Sequence, residues 1–195
     1  SCDWQPFQYW SQGSIPNDIA RVQEAWNALL SEIDLPKIVL FNKNSARSWI
    51  QRHTPELTHH FDNAPLFAME ADIFRIAYAI KNDCIWIDSD EFPRASTSTL
   101  LKHWTKRCDT LFLYRWNRPW ISNSFFLTKK SSPLLSGPWA INPVVSASRQ
   151  SNTAQGCIKQ LWPRKIQQTA QSTTQPIQVF RPSPFNLTRK GSVWF

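Results

Sequence analysis

The sequence predicts an α/β protein in which one mixed sheet is flanked by helices, and three observations predict it. Short apolar runs bounded by Pro, Gly, Ser and Asn recur along the chain, as buried strands do. Between them lie longer stretches whose apolar residues return every three or four positions, the spacing of a helix with one buried face. At 195 residues and 42% hydrophobic side chains the chain suits one sizeable core, so 1–195 is read as a single domain without internal repeats.

Residues 7–10, Phe-Gln-Tyr-Trp, read as a strand that enters a loop of Ser11, Gln12 and Gly13 followed by Ser-Ile-Pro-Asn. From Asp18 onward Ile19, Val22, Trp26, Leu29, Leu30 and Ile33 fall at helical spacing; Asn17 or Asp18 is the expected N-cap, and Pro36 ends the helix. The apolar run 37–41 predicts a buried strand and 45–52 a short helix. Residues 66–80 contain neither Gly nor Pro and set Ile73, Ala77 and Ile80 on one face, which predicts a helix. Strands are predicted at 84–87, 111–114 and 122–127, with a helix over 97–106. Beyond Ser131 the chain is richer in Pro, Ser, Thr and Gln, and a helix near 138–150 and a strand at 177–180 complete the reading.

A net charge of +8 attracts an anionic partner, whether nucleotide diphosphate, nucleic acid or acidic membrane surface. Eleven tryptophans against four glycines is an unusual balance; most of the indoles are expected in the core, although Trp also stacks on bases and sugars. Cys2, Cys84, Cys108 and Cys157 are widely spaced with no Cys-x-x-Cys pair. That spacing argues against a zinc site or a disulfide framework and predicts free thiols in a reducing, cytoplasmic compartment. No run approaches the roughly eighteen apolar residues of a membrane span. A soluble chain is expected, with peripheral contact at the inner face of the membrane as the one membrane role its charge favours.

The residues that carry chemistry are acids at a strand end. Asp88 and Asp90 close the run Ile-Trp-Ile-Asp-Ser-Asp at 85–90, and in an extended chain residues two apart project to one face. Carboxyl ends of strands line the ligand crevice of an open α/β sheet. Carboxylate oxygens there suit Mg²⁺ or Mn²⁺, held by one or two carboxylates plus substrate phosphates. An isolated Asp-x-Asp often does no more than end a strand at a turn. In the helix before it, however, Asp72 and Arg75 are three residues apart and share a face, bringing an acid and a cationic donor one element ahead of the acid pair.

The run Ala71-Asp-Ile-Phe-Arg75, followed after a short interval by Ile85-Trp-Ile-Asp-Ser-Asp90, resembles the DXD region of a family of sugar transferases. The family includes bacterial capsular and lipopolysaccharide enzymes, yeast initiating mannosyltransferases and the large clostridial glucosylating toxins. Tyr9-Trp10-Ser-Gln-Gly13 is similar to its first-strand Trp and Gly, Ile121-Ser-Asn123 to its later Asn strand, and Ser192-Val-Trp194 to the Ser-x-Trp of the toxin branch. The resemblance brackets nearly the whole chain, and its central region is the specific part. It implies a GT-A fold and retaining transfer of a sugar from a nucleoside diphosphate sugar, with Mn²⁺ or Mg²⁺, to a saccharide, lipid-linked or protein acceptor. Trp10 would then stack near the base, and Asp72 and Arg75 would bind sugar or ribose hydroxyls. Asp88 would hold ribose and donor sugar, Asp90 would be the metal ligand, Asn123 would lie near the reacting sugar face, and Ser192 with Trp194 would close over metal and diphosphate. Asn82-Asp83 departs from the family's Gly-Gly, a position that favours φ > 0; Asn and Asp are the non-Gly residues most tolerant of that conformation, so the turn is expected to survive, and Glu91 directly after the motif is less usual.

Three other functions compete with glycan assembly. These are an effector that glycosylates a protein, a non-catalytic nucleotide-sugar-binding module, and a metal-dependent phosphatase or nuclease. The last would leave Asp72, Arg75 and Trp10 as coincidences, so no nucleic-acid partner is expected. His53, Glu56, His59 and His60 would place three ligands along one helical face, but Pro55 interrupts that helix and a polar surface is the better reading. Arg115, Trp116, Arg118 and Trp120 mix aromatics with cations, as single-stranded nucleic-acid surfaces or sugar-acceptor platforms do, although ordinary packing in a strand connection is the better reading; Arg189-Lys190 precedes Ser192 and could help to hold a diphosphate. Asn186-Leu-Thr is a glycosylation sequon by pattern.

Overall fold

The computed structural model describes residues 3–113, 122–130 and 132, and the backbone of 114, 121 and 177–180. The predicted α/β class is what forms. Strands β1 (Gln5–Tyr9), β2 (Val39–Phe41), β3 (Cys84–Ile87), β4 (Thr110–Tyr114), β5 (Ile121–Thr128) and β6 (Ile177–Phe180) make one mixed sheet in the order β2-β1-β3-β5-β4-β6. β1 runs parallel to β2 and β3, β5 is antiparallel to β3 and β4, and β6 is parallel to β4. Helices α1 (Asn17–Glu32), α2 (Lys43–His53), α3 (Thr58–Asp62), α4 (Phe67–Lys81) and α5 (Thr97–Arg107) fill the connections.

Side-chain alternation along the sheet creates two cores. In β3, Cys84 and Trp86 join Phe7, Phe61, Phe74 and Phe126 on the face covered by α2, α3 and α4, whereas Ile85 and Ile87 join Trp4, Trp26, Leu101 and Trp104 on the face of α1 and α5. Each fully buried apolar side chain of this size contributes roughly 1.5–3 kcal/mol. Phe7 sits at the centre of the first core, with ring centroids 4.2 Å from Tyr78, 5.0 Å from Trp86 and 6.0 Å from Phe74. Trp4, Trp26, Trp86 and Trp104 are buried, as expected of core indoles.

Local chemistry explains the boundaries. α1 ends as expected before Pro36, because Asp34 takes φ 59° and the Leu35 N–H returns to Leu30 O at 2.9 Å, a left-handed stop that satisfies the terminal carbonyls. α2 begins in a reciprocal box: Asn42 Oδ1 accepts from Ser45 N at 2.9 Å and Ser45 Oγ accepts from Asn42 N at 2.9 Å. Three expectations need correction. Asn17 lies inside α1 and Pro16 occupies the cap with no side-chain bond, since its preset φ of −61° starts the helix unaided. The strand expected to be buried at 37–41 is a sheet edge, shorter and with Val39 39% exposed, because β2 pairs on one side among the described strands. Asn82 is extended (φ −133°), and among the described non-glycine residues only Asp34 has positive φ, so no left-handed turn stands where the family has Gly-Gly. Asp83 instead accepts Lys130 N at 2.9 Å through its carboxylate. As expected, Pro55 interrupts the stretch 53–60: α2 stops at His53 and a 3-10 turn spans Pro55–Leu57.

Among the described residues no three His, Cys, Asp or Glu side chains are grouped to hold a metal, and no helix is long and apolar enough to cross a membrane. Cys84 and Cys108 are buried free thiols. The expected helix at 138–150, Cys2, Cys157, Asn186, the Arg115–Trp120 cluster and the pairs Arg189-Lys190 and Ser192-Trp194 lie outside the described residues.

Candidate functional site

The parallel strands β1 and β3 end side by side, and the chain leaves both at the same edge. There Trp10 to Gln12 after β1 and Asp88 to Asp90 after β3 line a cleft of about 390 Å³ with Ile19 of α1, Phe67, Ala68, Ala71 and Arg75 of α4, and Trp86. The volume falls in the range of small-molecule sites. The lining is two-sided: Trp10, Ile19, Phe67, Ala68 and Ala71 are apolar, while Arg75, Asp88, Ser89 and Asp90 are polar or charged.

Beneath the polar half lies a closed network. The Arg75 guanidinium pairs with Asp72 Oδ1 at 2.9 Å and Asp88 Oδ1 at 3.0 Å, and Nη1 donates to Asn123 O at 2.6 Å. Asn123 Nδ2 donates to Asp72 Oδ1 at 3.2 Å, and the guanidinium carbon stands 4.5 Å above the Trp86 ring. α4 delivers Asp72 and Arg75 one turn apart, β5 delivers Asn123, and β3 delivers Trp86 and, just past its end, Asp88. Residues scattered over fifty positions of sequence thus meet at one cation. Asp72 is 1% exposed and Arg75 5%, so the pair is part of the interior and not the surface ion pair that helical spacing alone would suggest.

The acid loop is held from several sides. Asp88 N donates to Ser124 O at 2.8 Å, Glu91 N to Asp88 O at 3.1 Å, and Trp26 Nε1 to Glu91 O at 2.5 Å. Its two carboxylates differ sharply. Asp88 Oδ1 accepts from Trp86 Nε1 at 2.7 Å and pairs with Arg75, and burial pushes its carboxyl up to about 6 against the opposing pull of Arg75 and the indole. Asp90 is exposed, and its carboxylate has no protein partner among the described residues. The strand ends at Ile87, so the convergence of Asp88 and Asp90 on the cleft comes from a turn and not from continued extension.

Trp10, Arg75, Asp88 and Asp90 line the cleft as the sequence reading places them; Asp72 and Asn123 lie behind Arg75 and do not. Trp10 Nε1 is buried with no protein acceptor among the described residues. Three contributors were missed. Trp86 donates to Asp88, Phe67 adds an aromatic wall, and Glu70, 2% exposed, accepts from Tyr9 OH at 2.5 Å and Lys43 Nζ at 2.6 Å, tying β1, α2 and α4 together under the cleft. Burial and then Glu70 hold the Tyr9 phenol protonated far above its usual range. A signal for Trp86 was present, since it precedes Asp88 by two positions and strand alternation sets both on one face. Compared with protein-family models and with curated proteins, the chain matches none of them.

Proposed function

We propose that the protein is a metal-dependent, retaining glycosyltransferase that takes a sugar from a nucleoside diphosphate sugar and passes it to a saccharide or lipid-linked acceptor. The observation that carries this reading is the meeting of Asp72, Arg75, Asp88 and Asn123 in one network under a cleft that Trp10, Asp88 and Asp90 line. These are the residues that the family resemblance singles out from four separate segments. The apolar wall of Trp10, Ile19 and Phe67 suits a planar base. The acid end suits hydroxyls and a cation.

The donor set fits a hard divalent ion. Asp90 is an uncommitted carboxylate, Asp88 has its Oδ2 without a protein partner among the described residues, and one or two carboxylates plus substrate phosphates is the usual cradle for Mg²⁺. Asp90 would hold the ion and Asp88 would hold hydroxyls beside it. When bound, such an ion neutralises the charge that develops on a leaving diphosphate. The chain's own contribution is positional: the fixed loop sets Asp90, and Arg75 keeps Asp88 ionised more readily than its burial alone would allow.

The test is release of nucleoside diphosphate from UDP-glucose, UDP-galactose and GDP-mannose, with and without Mn²⁺, by wild type and Asp90→Ala. Metal-dependent release from one donor, lost in the variant, is expected. Equal release by both proteins overturns the assignment of Asp90, and no release with intact donor binding points to a binding module.

A further inference from the structure

Trp86 is 2% exposed, and its ring serves two neighbours at once. Its indole N–H donates to Asp88 Oδ1 at 2.7 Å, and Arg75 lies over its face at 4.5 Å. Arg75 is enclosed in turn by Asp72 at 2.9 Å, Asn123 O at 2.6 Å, Ala71 O at 3.3 Å and Asp88 at 3.0 Å. A guanidinium so surrounded and 5% exposed has little left to offer a ligand directly. Both Trp86 and Arg75 meet the same oxygen of Asp88, whose side chain is 28% exposed at the cleft, while Oδ2 has no protein partner among the described residues.

We propose that Trp86 and Arg75 are positioning residues for Asp88: together they fix Oδ1 and present Oδ2 alone to a hydroxyl of the bound ligand. Arg75 therefore acts through Asp88 and does not grip the sugar itself. A carboxylate pinned by two donors at one oxygen cannot turn its plane, so a ring hydroxyl meets it from one direction only. This is how a site distinguishes hydroxyl configurations, because a hydroxyl pointing elsewhere leaves a desolvated acceptor unpaired. The identity of the hydroxyl rests on the nucleotide-sugar reading; the geometry of the three side chains does not.

Two measurements separate these levels. In protein carrying ¹⁵N-labelled tryptophan, the Trp86 indole signal is identified by its loss in Trp86→Phe, a variant that keeps an aromatic ring in the core. Asp88→Ala is expected to move that signal and speed its exchange with solvent. A signal that stays in place overturns the positioning claim whatever the ligand. The second measurement is Kd for the UDP- or GDP-sugar that wild type accepts in Mn²⁺. Trp86→Phe is expected to weaken binding about tenfold, the scale on which outer partners of ligating groups act, and to have no further effect in an Asp88→Ala background. Equal weakening in both backgrounds would assign Trp86 a packing role only and overturn the proposal. If wild type binds none of the sugars, the proposed function fails while the indole signal still decides the positioning.

Discussion

Removing the cation at the centre of the network should strand a carboxylate in the interior. Arg75→Met keeps most of the side-chain volume over Trp86 but deletes the charge that faces Asp72 at 2.9 Å and Asp88 at 3.0 Å. Asp88, 28% exposed in its side chain, can take up a proton or turn toward solvent. Asp72, 1% exposed, loses the cation that neutralises it and is too deeply buried to turn toward solvent, so the cost falls mainly on it. Breaking one side of a buried ion pair costs about 3–5 kcal/mol, which lowers the melting temperature of a domain this size by on the order of 10 °C. Urea titration at pH 7, followed by tryptophan fluorescence, measures the loss. The double variant Asp72→Leu with Arg75→Met removes the stranded charge as well and is expected to recover most of the stability. A loss below about 1 kcal/mol in Arg75→Met would refute the buried pairing. A double variant as unstable as the single one would assign the cost to lost packing on Trp86.

Three further outcomes follow from the same geometry. Asp90→Ala should change folding stability by less than about 0.5 kcal/mol, since an exposed side chain without a partner among the described residues is being removed, yet abolish metal-dependent donor hydrolysis; a large melting shift would show that Asp90 has a structural task. Because the folded carboxyl of Asp88 is raised from 3.8 to about 6, its contribution is fully present below pH 4 and is lost as pH rises through 6. In metal-free buffer, wild-type stability relative to Asp88→Asn should therefore fall by about 3 kcal/mol between pH 3.5 and 7, and parallel pH profiles from chemical denaturation would refute the shift. Tyr9→Phe leaves the buried Glu70 carboxylate with Lys43 as its partner among the described residues and should cost about 1–3 kcal/mol in thermal or urea unfolding; an unchanged midpoint would mean that Glu70 finds other donors.

The elements most legible in the sequence were those whose patterns have a single physical reading. Cys84–Ile87 is a continuous apolar run bounded by polar residues, and both sheet faces bury it, so its limits were read without error. The segment 66–80 lacked breakers and is a helix, but its periodicity understated it: α4 buries Glu70, Asp72 and Arg75 along with its apolar positions. A polar residue in a helix reads as solvent-facing unless its partner is known, and here the partners come from β1, β3 and β5. The edge position of β2 was equally invisible, because an apolar run of five looks the same at the centre of a sheet and at its margin. The turn at 82–83 was misjudged for a related reason. Borrowing φ > 0 from a Gly-Gly pattern ignored that Asn82 can cap α4, donating from Nδ2 to Tyr78 O at 2.9 Å with the backbone extended.

The Asp-x-Asp spacing suggests two equivalent carboxylates, and the fold makes them different. Asp88 still follows the strand alternation that places Trp86 beneath it, so it inherits an indole donor, a guanidinium and a largely desolvated setting. Asp90 lies past the turn closed by the Glu91 N–H on Asp88 O, so it inherits solvent and no partner among the described residues. A cation competing for Asp88 must compete with Arg75 for the same carboxylate, whereas at Asp90 it competes only with water. Charge repulsion between a divalent ion and the Arg75 guanidinium, 3.0 Å from Asp88 Oδ1, biases the ion further toward Asp90. The division of labour proposed above, a hydroxyl-binding Asp88 and a metal-binding Asp90, thus rests on where the strand stops. Moving that stop by one residue would turn Asp88 toward the other core and dissolve the distinction.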